Sequence, residues 1–191
     1  DTDLIVCEWL TAGRALDGEA VAQVVAHPST RAAAGGQGDG LHLSDLLNAF
    51  TRSEQLGRDD SWFCSECKDH VQATKKFDLW TLPEVLVIHI KRFRYSRHWR
   101  EKINTPVTYP LQGLDMSPWL LGPTPPEGVT YDLFAVSLHS GSLGGGHYTA
   151  VARNYRDGRW YYFNDSSVTS ASERDALSSR AYVLFYQRRH G

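Results

Sequence analysis

The chain has 191 residues, is 41% hydrophobic and carries a formal net charge of −2. That is enough apolar material for one domain with an extension, and it leaves no basic footprint of the kind nucleic-acid binding requires. The longest apolar run, Val85 to Ile90, is too short to span a bilayer, and no charged-then-apolar leader opens the sequence. A protein or peptide partner is therefore expected, with no nucleic acid and no membrane. Three cysteines, two of them in a C-x-x-C spacing, fit a reducing compartment better than a secreted disulfide framework.

Residues 1–40 read as a linker or the tail of an insertion: Ala-rich GEAVAQVVAH is followed by PSTRAAAGGQGDG, which has little to bury, and partial disorder is expected there. LSDLLNAFTRSEQLG predicts a short helix with Ser44 as N-cap, Leu46, Leu47 and Phe50 on one face, and Gly57 as the stop. Val71, Ala73, Phe77 and Leu79 alternate with polar residues, with Lys75 interrupting, which predicts a strand with one buried face that Pro83 ends. EVLVIHIKRF reads as a buried strand turning basic at its end, and YDLFAVSLH, at 131–139, as another. The Pro-rich stretch 111–128 between them reads as a long loop.

HYTAVARNY and RWYYFND flank an Asp157-Gly158 turn, a strong hairpin signal. SASERDALSS offers Ser170 and Glu173 as a capping box for a short helix, and AYVLFYQ closes the chain as a strand. Strands dominate without regular strand–helix alternation, so the expected class is α+β on a mostly antiparallel sheet.

Two constellations could carry chemistry. With Asp157 and Gly158 as the two loop residues, Arg156 pairs with Arg159, Val151 lies opposite Asn164, and His147 lies opposite Val168. Residues that oppose each other, or lie two apart on one strand, share a face. His147, Val151 and Asn164 then lie on one face and Asp165 on the other, unless a bulge after Asn164 reverses it. A histidine held by an amide or carboxylate is the usual general base for a Ser or Cys nucleophile, whereas Asn164 and Asp165 read alone are ordinary turn formers. His89 reads as a core histidine. His139 is the one competing base, expected to point at the glycine loop. The other constellation is Cys64 and Cys67 in WFCSECK, which reads as half of a zinc site, a pair of buried thiols or a redox motif. Cys7 is isolated, and His70 follows Cys67 too closely to complete a site by itself.

The segments LHLSDLLNAFTRSEQLGRDDSWFCSECK, LPEVLVIHIKRF, GGHYTA and FNDSSV, in this order from about Leu41 to Arg189, resemble the C-terminal half of the catalytic domain of a ubiquitin-specific protease. The resemblance implies a papain-like thiol protease of fingers, palm and thumb, with the palm and part of the fingers, at about 58–80, in this chain and the thumb absent. It implies His147 as the catalytic base and Asn164, or Asp165 beside it, as the group that orients it. Gly141, Ser142, Leu143, Gly144, Gly145, Gly146 and Tyr148 would form a mobile loop over the channel that admits a Gly-Gly tail. Cys64 and Cys67 would be half of a structural Zn2+ site. The family's glycine-asparagine-x-cysteine nucleophile box is absent, and Cys7 lacks its neighbours. The expected function is deubiquitination, hydrolysis of the peptide or isopeptide bond at the C-terminal glycine of ubiquitin. The implied partners are ubiquitin, ubiquitinated proteins and a Cys-bearing N-terminal half. This chain alone is expected to be inactive, and the compartment is intracellular, cytoplasm or nucleus. The alternative is a non-catalytic ubiquitin-binding or interaction module of the same fold; a plain zinc-ribbon domain would explain the cysteines but not the hairpin.

Overall fold

The computed structural model describes residues 40–58, 61–95, 100–142 and 145–190. The linker expected over 1–40, with Cys7, thus lies outside the described residues except for Gly40. A two-residue strand β1 (Leu41–His42) leads into helix α1 (Leu43–Thr51). The helix starts two residues earlier than Ser44 as N-cap predicts, with His42 in that place, because the Asp45 carboxylate reaches back to accept the His42 N–H at 2.8 Å. It ends at Thr51 rather than near Gly57, as Arg52 turns extended and strand β2 (Glu54–Gln55) follows. Leu43 and Leu47 are buried, with Leu46 and Phe50 packed half-buried beside them, so the apolar face is the one the spacing predicts.

The single strand expected over 71–79 is broken up. Strands β3 (Trp62–Cys64) and β4 (Asp69–Val71) form a hairpin, and β5 (Thr74–Lys75) pairs with β2. Lys75 sits where the alternation fails, and β2 offers only two residues to pair with. Phe77 instead stacks on Phe50, ring centroids 5.3 Å apart, while Leu79 is buried and bridges to Leu120.

The remaining strands are β6 (Val85–His89), β7 (Phe93–Tyr95), β8 (Arg100–Lys102), β9 (Val107–Thr108), β10 (Leu114–Asp115), β11 (Thr130–Ser142), β12 (Gly145–Arg153), β13 (Trp160–Asn164), β14 (Ser167–Ala171) and β15 (Ala181–Arg188). Seven of these build one antiparallel sheet in the order β14-β13-β12-β11-β15-β6, with β10 beside the start of β11. The ladder of β11 against β15 shifts between Leu133 and Ala135. That irregularity moves the inward-facing set from Tyr131 and Leu133 to Val136 and Leu138, so one long strand keeps an apolar face on the core throughout. Leu86, Leu184 and Tyr186 continue this face, and Leu43 and Leu47 of α1 belong to the same buried cluster.

Three further expectations are corrected. The Pro-rich stretch 111–128 is not simply a loop: it supplies β10 and a fully buried Met116, whose N–H donates to Val129 O at 3.0 Å. The capping box after β14 is built on Ser172 and Asp175, not Ser170 and Glu173, and caps a single 3-10 turn, Glu173–Ala176. The basic run after His89 is not wholly solvated. Arg92 is 2% exposed and donates from Nε to Ala181 O at 2.7 Å, and from Nη1 to Ile103 O and Thr105 O at 3.1 and 2.8 Å. This guanidinium joins β15 to the segment after β8 through carbonyl dipoles, and burial pushes its pKa down.

Arg92→Met keeps most of the volume but leaves three carbonyls without their donor. It is expected to lower stability by about 2 kcal/mol or more, read from the urea denaturation midpoint. An unchanged midpoint would mean that water replaces the guanidinium.

Candidate active site

The expected hairpin forms with a wider turn. Ala150 pairs with Phe163, Val151 with Tyr162, Ala152 with Tyr161 and Arg153 with Trp160. The Asn154 N–H continues the ladder to Arg159 O at 2.8 Å, so residues 155–158 form the loop, with Gly158 at φ 70°. The predicted pairing of Val151 with Asn164 is therefore displaced by two residues, and Val168 lies opposite Phe163 rather than His147. A shift of two preserves parity, so His147, Val151 and Asn164 still share a face. The wider turn also shortens the gap: one more step along the ladder puts Asn164 opposite Thr149, a single same-face position from His147.

The outcome is direct contact. His147 Nε2 lies 2.5 Å from Asn164 Oδ1. An amide oxygen only accepts, so Nε2 carries the proton and donates, leaving the Nδ1 lone pair of the neutral ring free. Asp165 takes the first position of the tight turn between β13 and β14 at φ 50°, and its Oδ2 lies 3.9 Å from the same nitrogen with the side chain 80% exposed. That is beyond hydrogen-bond reach. Asn164 is thus both a turn residue and the partner of the histidine.

The glycines have an internal explanation. Gly141 pairs with Gly146 and Ser142 with Gly145, so these positions, expected in a mobile loop, are ladder positions of β11 and β12. Leu143 and Gly144 lie outside the described residues. Gly141 has φ 108°, and a Cβ there would stand 2.6 Å from Gly145 O and 2.7 Å from Gly146 Cα. A Cβ on Gly146 would stand 2.8 Å from Ser140 O and 2.8 Å from His139 Cε1, and closer still to His139 Nε2.

His139, the competing base, points away from His147. It pairs with Tyr148 and so lies on the opposite face, 3% exposed, with ring centroids 4.7 Å from Tyr148, 5.2 Å from Phe93 and 5.9 Å from Tyr182. Burial, then the neighbouring Lys102 ammonium, pushes its pKa down. His89 is lowered in the same way by burial and then Lys91. The aromatic wall of Phe93, Tyr148 and Tyr182 was not legible as a unit, since its members come from three strands far apart in sequence.

Cys64 and Cys67 sit on the β3–β4 hairpin, away from the seven-stranded sheet. The Cys67 N–H donates to Cys64 Sγ at 3.4 Å, and this backbone bond is the first cause of a lowered Cys64 pKa. Lys68, at φ 56°, closes the turn by donating to Cys64 O at 2.9 Å. Among the described residues no group of three or more His, Cys, Asp or Glu side chains is placed to hold a metal ion.

Fold and pair together define a class: an α+β domain whose antiparallel sheet presents an imidazole tied to a side-chain amide. A sequence model of the Ubiquitin carboxyl-terminal hydrolase family matches residues 41–186, and the chain belongs to that family, as the C-terminal part of a ubiquitin-specific protease domain. Ubiquitin carboxyl-terminal hydrolase 15 of Homo sapiens is 56% identical over 148 residues, 78% of this chain and 15% of that protein. Ubiquitin carboxyl-terminal hydrolase 4 of Bos taurus is 54% identical over 147 residues, 77% of this chain. The chain thus spans about 15% of the length of these curated relatives. The SAGA Ubp8/Sgf11/Sus1/Sgf73 module solved with ubiquitin aldehyde superposes with a TM-score of 0.64 at 31% identity, over 80% of this chain and 34% of that one. The same module solved with monoubiquitin gives 0.64 at 32% identity.

The buried His139 and the half-buried His89 make a pH prediction. Their native pKa values lie below the unfolded value of about 6.5, so below that pH the unfolded chain binds more protons than the native one. Stability is expected to fall as pH drops through 6.5, measured as the urea midpoint between pH 7.5 and 5. His139→Ala should flatten that slope; an unaltered slope would contradict the assignment.

Proposed function

We propose that this chain carries the base half of the active site of a deubiquitinating thiol protease, which hydrolyses the peptide or isopeptide bond after the C-terminal glycine of ubiquitin. The observation that carries this reading is the 2.5 Å contact between His147 Nε2 and Asn164 Oδ1. With Nε2–H committed to Asn164, Nδ1 is the atom that takes the proton from a cysteine thiol. The resulting imidazolium then returns it to the leaving amine as the bond to ubiquitin breaks. Asn164 holds the tautomer and the ring plane through both steps. Asp165, exposed and 3.9 Å away, contributes charge rather than orientation.

The nucleophile comes from a cysteine outside this chain, in a Cys-bearing N-terminal half of the domain. On the His147 face of the sheet a cavity of about 300 Å³, with Leu138, Val151 and Tyr162 at its base and Thr169, Ser170, Asp175 and Arg180 around it, offers that half a mainly polar seat carrying one charge of each sign. For the Gly-Gly tail of ubiquitin, the side-chain-free tip at Gly145 leaves room, and Tyr148, 51% exposed, supplies a flat wall. Cys64 and Cys67 fit two of the four positions of a structural zinc ion. The turn aims a backbone N–H at the Cys64 sulfur, which favours the thiolate a metal needs, and the other two ligands would come from the missing half. Zinc there would cross-link the halves and takes no part in the proton transfers. The unpaired Cys64 and Cys67 thiols fit a reducing compartment, and we place the enzyme inside the cell, in cytoplasm or nucleus. Among the described residues no helix is long and apolar enough to cross a membrane.

The central test is cleavage of a ubiquitin-amide fluorogenic substrate. The purified chain is expected to show no turnover, and the chain joined to a Cys-bearing half is expected to be active. In the joined enzyme His147→Ala should reduce kcat by about 10²–10⁴-fold. Asn164→Ala should be more damaging than Asp165→Ala at equal ubiquitin affinity. Ubiquitin binding without turnover in the joined enzyme would favour the non-catalytic module.

Zinc supplies an independent check. The isolated chain should hold the metal weakly, and the joined halves should hold it at one equivalent through dialysis against a mild chelator. Cys64→Ser should remove it, whereas tight stoichiometric zinc in the monomeric chain would require ligands other than this pair.

A further inference from the structure

His147 sits on a strand whose position is set from behind. On its own face the His147 side chain is half exposed and held by Asn164. Its two sequence neighbours, Gly146 and Tyr148, face the other way, and both rest on the same object. The His139 ring occupies the space that a residue-146 side chain would fill, with Cε1 2.8 Å from an ideal Cβ position, and it packs against the Tyr148 ring at 4.7 Å. This follows from the register: Tyr148 is directly opposite His139, and Gly146 is the diagonal neighbour on the same face.

His139 itself is held firmly. Its N–H donates to Arg180 O at 3.0 Å, its carbonyl accepts from Lys102 Nζ at 2.9 Å, and Phe93 and Tyr182 flank the ring. Its Nδ1 is buried and finds no hydrogen-bond partner among the described residues. A buried imidazole kept at the cost of an unpaired nitrogen calls for a reason beyond filling space.

We propose that His139 is a positioning residue for His147: its ring, wedged where residue 146 would otherwise carry a side chain, seats the segment 146–148 so that the His147 imidazole meets Asn164 with Nδ1 left free. This rests on the reading of His147 as the base. It assigns His139 no contact with substrate and no proton transfer. Displacing the wedge tilts the strand by a fraction of an ångström to an ångström, and misplacement on that scale is enough to cost about 100-fold in rate.

Two readouts test it: nitrogen-15 spectra of the imidazole rings in this chain, and steady-state kinetics of the enzyme joined to its Cys-bearing half. In the parent chain the His147 ring should be protonated at Nε2 and bare at Nδ1. His139→Ala should convert this to a mixture of tautomers and lower kcat by about 100-fold with little change in KM. His139→Gln, whose amide reaches the place of the lost Nε2, should restore most of both. Gly146→Ala drives a Cβ into the same contact, so it should mimic His139→Ala, and the double variant should be no worse than the more damaging single change. An unaltered His147 spectrum in His139→Ala, a His139→Gln variant as impaired as His139→Ala, or losses that multiply in the double variant would each overturn the proposal. If Gly146→Ala does not fold, the comparison of His139→Ala with His139→Gln decides alone. Because the spectra are taken on the chain without its nucleophile, absence of turnover in the joined enzyme would count against the base assignment and leave this inference to be judged on the ring nitrogens.

Discussion

The two ladders that β11 makes, to β12 on one side and β15 on the other, are the constraint on which the rest of this structure depends. Backbone pairing along thirteen residues decides at every position which side chain faces the core and which faces away. At the far end of the strand the same ladder sets Ser140 opposite His147 and His139 opposite Tyr148. A slip of β12 by one residue against β11 would carry His147 onto the face of His139 and the aromatic wall. The shift between Leu133 and Ala135 lets the core end of β11 and the site end keep their own inward sets within one continuous strand.

Around the tip of this strand three cations gather: Arg92 buried, Lys102 half-buried and Arg180 exposed. Arg92 donates to three carbonyl oxygens, Lys102 donates to His139 O, and Arg180 donates to Ser140 Oγ at 3.0 Å. Burial first, and then Arg92 and Arg180, lowers the Lys102 pKa. The positive environment disfavours a second charge on the His139 side of the sheet. His147 lies on the opposite face, in contact with Asn164 and 3.9 Å from Asp165.

Polar and glycine positions that look alike in sequence do different work here. Gly141 and Gly146 permit two strands and one imidazole to approach more closely than a Cβ allows, which is a packing demand within the chain, whereas a substrate channel would use the same absence of side chains at the exposed tip. Asn164 closes a tight turn and also contacts His147, so one residue serves the turn and holds the imidazole.

Much of this was readable from local pattern. The existence of β6, β11, β12, β13 and β15, the apolar face of α1, the antiparallel character of the sheet and the shared face of His147 and Asn164 all follow from periodicity, because alternation in a strand survives any even error in register. What the tertiary structure decided lies where a competing partner sets the outcome. The hairpin opened from two loop residues to four, and only that change brought Asn164 into reach of His147 while leaving Asp165 at 3.9 Å. Asp45 and Asp175 displaced the expected caps because the capping carboxylate is chosen by the local turn rather than by the first serine available. Met116 and Arg92 were hidden in segments that read as loop and solvated edge, since burial depends on what packs over a residue from elsewhere in the chain. Faces are a local property of a strand and were legible in the sequence; distances across the sheet are set by loops and neighbours, and required the fold.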